Sequence, residues 1–160
     1  MKLIRLGVLT LSRFFTSAAF IAGAVKNFIT WHETERNLIS AMSDWQEHFG
    51  VSQEMQVFFS IFISWSSALL VLASSCMLMG GLFVLLGVKE KLGIGLLILF
   101  LIPATILYHP FWWAEGVTHE LQTILFLKNL AILGCLIQLF IQGAAKPVLG
   151  FDERPSSMRF

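Results

Sequence analysis

Two adjacent residues, Lys128 and Asn129, stand inside an apolar run from Leu121 to Gln142 that carries no other charge. An ammonium group well inside a membrane helix costs about 2.5–3.5 kcal/mol on insertion scales, so a chain that keeps one gives it a partner or a polar cavity. Besides snorkelling of the amine to the headgroups, two readings follow. In one, Lys128 faces a ligand, with the Asn129 amide beside it. In the other, Lys128 closes a structural salt bridge with Glu120 or Glu115, earlier in the chain. Lys26 ends the first apolar segment on the same side and either snorkels to the headgroups or joins the site. His109, Phe111, Trp112, Trp113, His119 and Glu120 gather near that side too. Two histidines and a carboxylate raise the question of a metal, but their spacing is not that of a compact ligand motif. The expectation is therefore histidines that hydrogen-bond or handle protons, and no metal.

These side chains need elements to position them. Hydrophobic residues make up 56% of the 160, charged residues only 13%, and the mean hydropathy is +0.76. A soluble domain has about 25% charged residues, so the chain falls in the integral membrane class. Its net charge of +1 and lack of a basic patch give no sign of nucleic-acid binding. Four all-α spans are expected, at about 6–29, 60–87, 92–108 and 121–142. The second lies in a charge-free stretch from Val57 to Gly87, longer than one span needs, so its start is interfacial or its helix tilted. Pro110 closes the third span, Pro147 closes the fourth, and Pro103 predicts a kink. The whole of 1–160 reads as one membrane domain, a four-helix bundle with a cytoplasmic tail over 147–160.

Charge orients the bundle. Lys2, Arg5 and Arg13, then Lys89 and Lys91, then Lys146, Arg154 and Arg159 fall on one side. Glu33, Glu35, Asp44, Glu47, Glu54, Glu115 and Glu120 fall on the other, so both termini are expected to be cytoplasmic. Trp31, Trp45, Trp65, Tyr108, Trp112 and Trp113 mark the outer boundary. Between spans one and two, Leu38, Met42, Trp45 and Phe49 recur at helical spacing. This is an amphipathic helix, either lying in the outer interface or packed on the bundle. The start of the chain imitates a signal peptide ending at Ala22-Gly23-Ala24, but Arg13 interrupts its apolar stretch.

Membrane helices associate through small and polar residues. Such stripes run through Arg13, Thr16, Ser17, Phe20, Gly23, Ala24 and Asn27 in span one. They continue through Ser60, Ser64, Ser67, Ser74 and Gly81, with Gly80 beside them, in span two. In span four the stripe is Lys128, Ala131, Cys135, Gln138 and Gln142. Arg13, Gly80, Gly81 and Gln138 are accordingly assigned to a structural polar seam, against the plainer reading of ordinary helix packing. Cys76 and Cys135 lie outside any C-x-x-C and read as small packing residues.

The order Arg13…Phe20-x-x-Gly23-x-x-Lys26, Gly80-Gly81…Leu86-Gly87, Thr105-x-x-x-His109-x-Phe111-Trp112 and Phe126-x-Lys128-Asn129-Leu130-Ala131-x-x-Gly134 resembles the DoxX family of small four-helix membrane proteins. The resemblance covers about residues 13–140. It departs at one place: relatives often carry a glutamate just before the glycine pair, where this chain has Cys76, Met77, Leu78 and Met79. No carboxylate for Lys128 or Arg13 is therefore offered there.

The resemblance implies a multi-pass protein of a bacterial cytoplasmic (inner) membrane. Some relatives are subunits of thiosulfate:quinone oxidoreductases, others belong to oxidative-stress complexes, and distant ones act as chaperones or cargo receptors. The first expectation is thus a membrane subunit of a redox complex that binds quinone or a small ligand near the outer leaflet. Lys128, Asn129 and His109 would hydrogen-bond a quinone oxygen, Trp112 and Phe111 would stack on the ring, and Lys26 would attract an oxyanion. The sequence has no haem-ligand pattern, iron–sulfur cysteines or dinucleotide fingerprint, so the chain is expected to hold no cofactor and not to catalyse alone. Its expected partners are the bilayer and either a membrane or peripheral protein or further copies of itself. The alternative is a non-catalytic assembly or chaperone-like scaffold. Transport is disfavoured by the small number of spans and the lack of an inverted repeat.

Overall fold

The structure is a computed structural model that describes residues 2–50 and 52–142. The expected tail over 147–160 and the stop at Pro147 lie outside the described residues. All regular structure among the described residues is helical: α1 (Lys2–Ile29), α2 (Trp31–Phe49), α3 (Gln53–Ser64), α4 (Ser66–Leu86), α5 (Glu90–Tyr108), a 3-10 turn (Phe111–Trp113) and α6 (Gly116–Gln142). Among the described residues three segments are long and apolar enough to cross a membrane: Ser66–Leu86, Glu90–Trp113 and Gly116–Ile141.

The expected second span is broken in two. Ser60 and Ser64 turn their hydroxyls back onto the carbonyls of Gln56 and Ser60, at 2.7 and 2.8 Å. Such back-bonding competes with the helix ladder and bends it. The break falls at Trp65, whose N–H is shared between the Ile61 and Phe62 carbonyls. Glu35 of α2 then takes hydroxyl hydrogen bonds from Ser66 and Ser67 in the first turn of α4. A carboxylate there complements the positive end of the helix. Of the serines expected to share one face, only Ser74 is buried; Ser60, Ser64 and Ser67 are exposed.

At its other end α4 stops at Gly87, in the left-handed conformation with φ +67°. The Val88 N–H reaches back to the Phe83 carbonyl, which closes a Schellman turn. Across this turn Arg13 of α1 meets Glu90 at 2.7 Å. The two side chains are only 13% and 7% exposed.

Helix α4 is central, with α1 and α5 packed along it and α6 packed on α5. The glycine pair explains this. A Cβ on Gly80 would lie 2.8 Å from the Leu97 side chain and 2.9 Å from the Gly93 carbonyl, so Gly80 admits α5. A Cβ on Gly81 would lie 2.7 Å from the Ile21 side chain, so Gly81 admits α1. Successive helical positions are about 100° apart, so one dipeptide opens two sides of the same helix. The glycines therefore act as close-packing positions. α1 and α6 hardly touch each other among the described residues. Helices α1, α4, α5 and α6 follow one another as an arc, with α1 and α6 at its two ends.

Helix α2 is amphipathic as its spacing predicts. Its Leu38 and Met42 are buried against Leu70 of α4, with Leu107 and Tyr108 of α5 packed around them. The Trp45 indole N–H donates to the Leu107 carbonyl at 3.2 Å, one of the last-turn acceptors of α5.

Candidate functional site: a cavity between the first and last long helices

Residues of α1 and α6 line a cavity of about 1200 Å³, together with residues of α4 and α5 and, at one end, of α2 and α3. One face of α6 supplies Lys128, Asn129, Ala131, Ile132, Cys135 and Leu136 to its wall. The offsets of zero, one, three, four, seven and eight residues are those of a single helical stripe.

Opposite, α1 contributes Lys26 and Asn27. Asn27 is fixed by its amide, which donates to Ser74 Oγ at 3.2 Å. Gly23, one turn earlier, leaves room for the Met77 side chain: a Cβ there would lie 2.6 Å from the methionine methyl. From α5 and the residue after it come Pro103, Tyr108 and His109. Pro103 lacks the N–H that would bond the Leu99 carbonyl. His109 follows the last residue of α5, and its Nδ1 donates to Gln122 Oε1 of α6 at 2.9 Å. In the neutral ring this leaves Nε2 as an acceptor.

The polar side chains of the wall gather toward one end, where Leu38, Met42, Phe58, Phe59 and Phe62 of α2 and α3 also line it. Lys26, Asn27, Asn37, His109, Lys128 and Asn129 lie toward the end where α1 and α5 finish. Phe15, Phe20, Leu99, Phe100 and Leu136 line the other end. Lys26 and Lys128 are the charged side chains on its wall among the described residues, and no carboxylate accompanies them. Neither amine makes an ion pair or side-chain hydrogen bond among the described residues. The salt bridge from Lys128 to Glu120 or Glu115, one of the two sequence readings, is therefore not formed. Arg13 differs, since its carboxylate is Glu90 at 2.7 Å. The sequence looked for that acid ahead of the glycine pair and missed it after the next turn.

The structure brings Lys26, His109, Lys128 and Asn129 to one cavity and leaves Phe111 and Trp112 outside it. Phe111 packs against Phe126, ring centres 5.1 Å apart. Trp112 packs edge-on against Trp45 at 5.8 Å. Trp113 stacks on His48 at 4.4 Å and meets Trp45 at 4.8 Å. These rings join α2 to the 3-10 turn and to α6, so they brace the end of the cavity. The rings on the wall are Phe15, Phe20, Phe58, Phe59, Phe62 and Phe100, with Tyr108. Gln138 is exposed and off the cavity wall, while Gly80 and Gly81 are buried in the helix contacts. Cys76 and Cys135 are free thiols on the same wall, the first buried and the second exposed.

A helical membrane protein with a mostly apolar cavity that carries one cluster of cationic and amide groups is the class that this fold and cavity define. The DoxX family model matches residues 8–110, more than half of the chain, and the chain belongs to that family. No curated protein and no solved structure matches it. The matched segment takes in α1 to α5 and His109. Lys128 and Asn129 sit on α6, beyond the matched segment.

Proposed function

We propose that this DoxX-family protein is a non-catalytic membrane subunit that binds an amphiphilic ligand between α1 and α6. One observation carries the reading. A cluster of hydrogen-bonding and cationic groups and a long apolar wall share one cavity lined by both α1 and α6, two helices that hardly touch. An opening between two such membrane helices faces the bilayer, and ligands dissolved in the bilayer enter that way. Ligand pockets are mostly apolar with a few converging polar groups, which is the composition here. In the proposed setting α1 is a fourth span, both termini are cytoplasmic, α2 lies along the outer interface, and the membrane is the bacterial inner membrane. The polar end of the cavity then lies toward the outer leaflet.

In a redox complex the ligand is a quinone. The Asn129 amide and Lys128 donate to a ring oxygen, and His109 Nε2 accepts from the quinol hydroxyl. Tyr108 replaces Phe111 and Trp112 as the ring for the head to lie against. The electron-transferring group belongs to a partner subunit. The reading is tested by thermal denaturation of the purified full chain with and without a short-chain quinone. A quinone-dependent rise in melting temperature that disappears in Lys128→Ala is expected. A rise that survives the substitution removes Lys128 from the site, and no rise in either protein removes the quinone. The assembly-scaffold reading predicts that Lys128→Ala protein still captures its partner in mild detergent.

A further inference from the structure

We propose that the cavity holds an acidic membrane lipid, with its anionic head between Lys26 and Lys128 and one acyl chain lying along the gap between α1 and α6. The inference rests on the cavity being a ligand site, and it names a class of ligand that a neutral quinone does not represent.

Charge is the first argument. The wall carries two ammonium groups and no carboxylate among the described residues. Two like charges on one low-dielectric wall repel each other, and a neutral ring supplies nothing to offset either. The chain does pair an interior cation elsewhere, as Arg13 and Glu90 show at 2.7 Å. Lys26 and Lys128 are left for a counter-charge that arrives with the ligand. A phosphate head carries acceptors for charge-assisted hydrogen bonds from both amines, and the amide of Asn129 on the same wall adds a donor.

Shape is the second. From Lys26 back to Phe15, α1 lines the cavity over eleven residues, about 16 Å of helix. One leaflet contributes about 15 Å of the hydrocarbon core, so an acyl chain of ordinary length spans the apolar wall. Helix α6 runs the same way, from Lys128 at the polar end to Leu136 at the apolar end. Head and tail of a lipid therefore meet groups of matching character in the right order on both sides of the opening. The third argument is access, because α1 and α6 hardly touch and a lipid need not thread between packed helices.

The test uses the full chain, delipidated in mild detergent and returned to nanodiscs of phosphatidylcholine alone or with phosphatidylglycerol. Thermal denaturation and native mass spectrometry are read together, with the short-chain quinone as a third ligand. In wild type, phosphatidylglycerol should raise the melting temperature by several degrees over phosphatidylcholine and remain bound in the gas phase. Lys26→Gln/Lys128→Gln should lose at least tenfold in retained phosphatidylglycerol, and Lys26→Arg/Lys128→Arg should keep it. Ala131→Trp, which fills the wall without removing a charge, should lose lipid of either kind. Preference for phosphatidylglycerol that persists in the double glutamine variant overturns the assignment of the head. Equal retention of both lipids in wild type, lost in Ala131→Trp, overturns the charge argument and leaves the cavity standing as a ligand site. No effect of Ala131→Trp on lipid or on quinone overturns both.

Discussion

The Arg13–Glu90 pair lies about 20 Å along α1 from Lys26, and it offers the cleanest measurement of what holds the arc together. At 2.7 Å the attraction is roughly 6 kcal/mol with an effective dielectric near 20. The side chains are 13% and 7% exposed, so water relieves little of the loss if one partner is removed. Breaking a buried pair from one side costs about 3–5 kcal/mol, because the other charge stays behind. For a chain of this size that is roughly 6–20 °C in melting temperature. Glu90→Gln is the sharper probe, since Arg13 has contacts beyond this carboxylate. The assay is thermal unfolding of the full chain in mild detergent, with Arg13→Met, Glu90→Leu and the double variant to complete a cycle. The double variant should fall by less than the sum of the singles, because it removes both charges together. A Glu90→Gln protein within about 0.5 kcal/mol of wild type, or a strictly additive cycle, refutes the view that this pair fastens α1 to the α4–α5 turn.

Two further substitutions test the packing argument. Gly80→Ala places a methyl 2.8 Å from Leu97 and 2.9 Å from the Gly93 carbonyl, and overpacking of that kind costs about 1–3 kcal/mol. Gly134→Ala meets nothing within 4 Å and should be neutral or gain up to about 1 kcal/mol, so the same assay must separate the two in sign. Ser17 is 0% exposed and its hydroxyl has no hydrogen-bond partner among the described residues, so Ser17→Ala should stabilise by about 1 kcal/mol. A loss of more than that in Ser17→Ala shows that the hydroxyl has a partner in the membrane.

What the sequence made legible follows from range. Lys128 and Asn129 stand out because an apolar run has no other charge, and a helix of known pitch puts Ala131 and Cys135 on the same stripe. The structure adds Ile132 and Leu136 to it, and all six positions line the cavity. The amphipathic pattern of Leu38 and Met42 was equally local, and both are buried. Properties that depend on what one helix meets on another were out of reach. Glu90 sits between two lysines in a short basic turn, and nothing in that neighbourhood says that it turns toward a residue 77 positions away. Phe111 and Trp112 are neighbours of His109 in sequence, yet a single 3-10 turn carries them away from the cavity and onto Phe126 and Trp45.

The break at Trp65 links these failures to the cavity itself. A continuous helix through the charge-free stretch from Val57 to Gly87 would run on past the end of α1. Instead the chain divides there, and the separate helix α3 brings Phe58, Phe59 and Phe62 to the cavity wall beside residues of α2. Glu35 reaches from α2 to the start of α4 just after the break, through Ser66 and Ser67. The residues that spoil a regular span are thus the ones that give the cavity its end wall. Composition registers the same serines only as mildly polar positions in an apolar run, because their consequence depends on the carbonyls four residues back and on an acid thirty residues away.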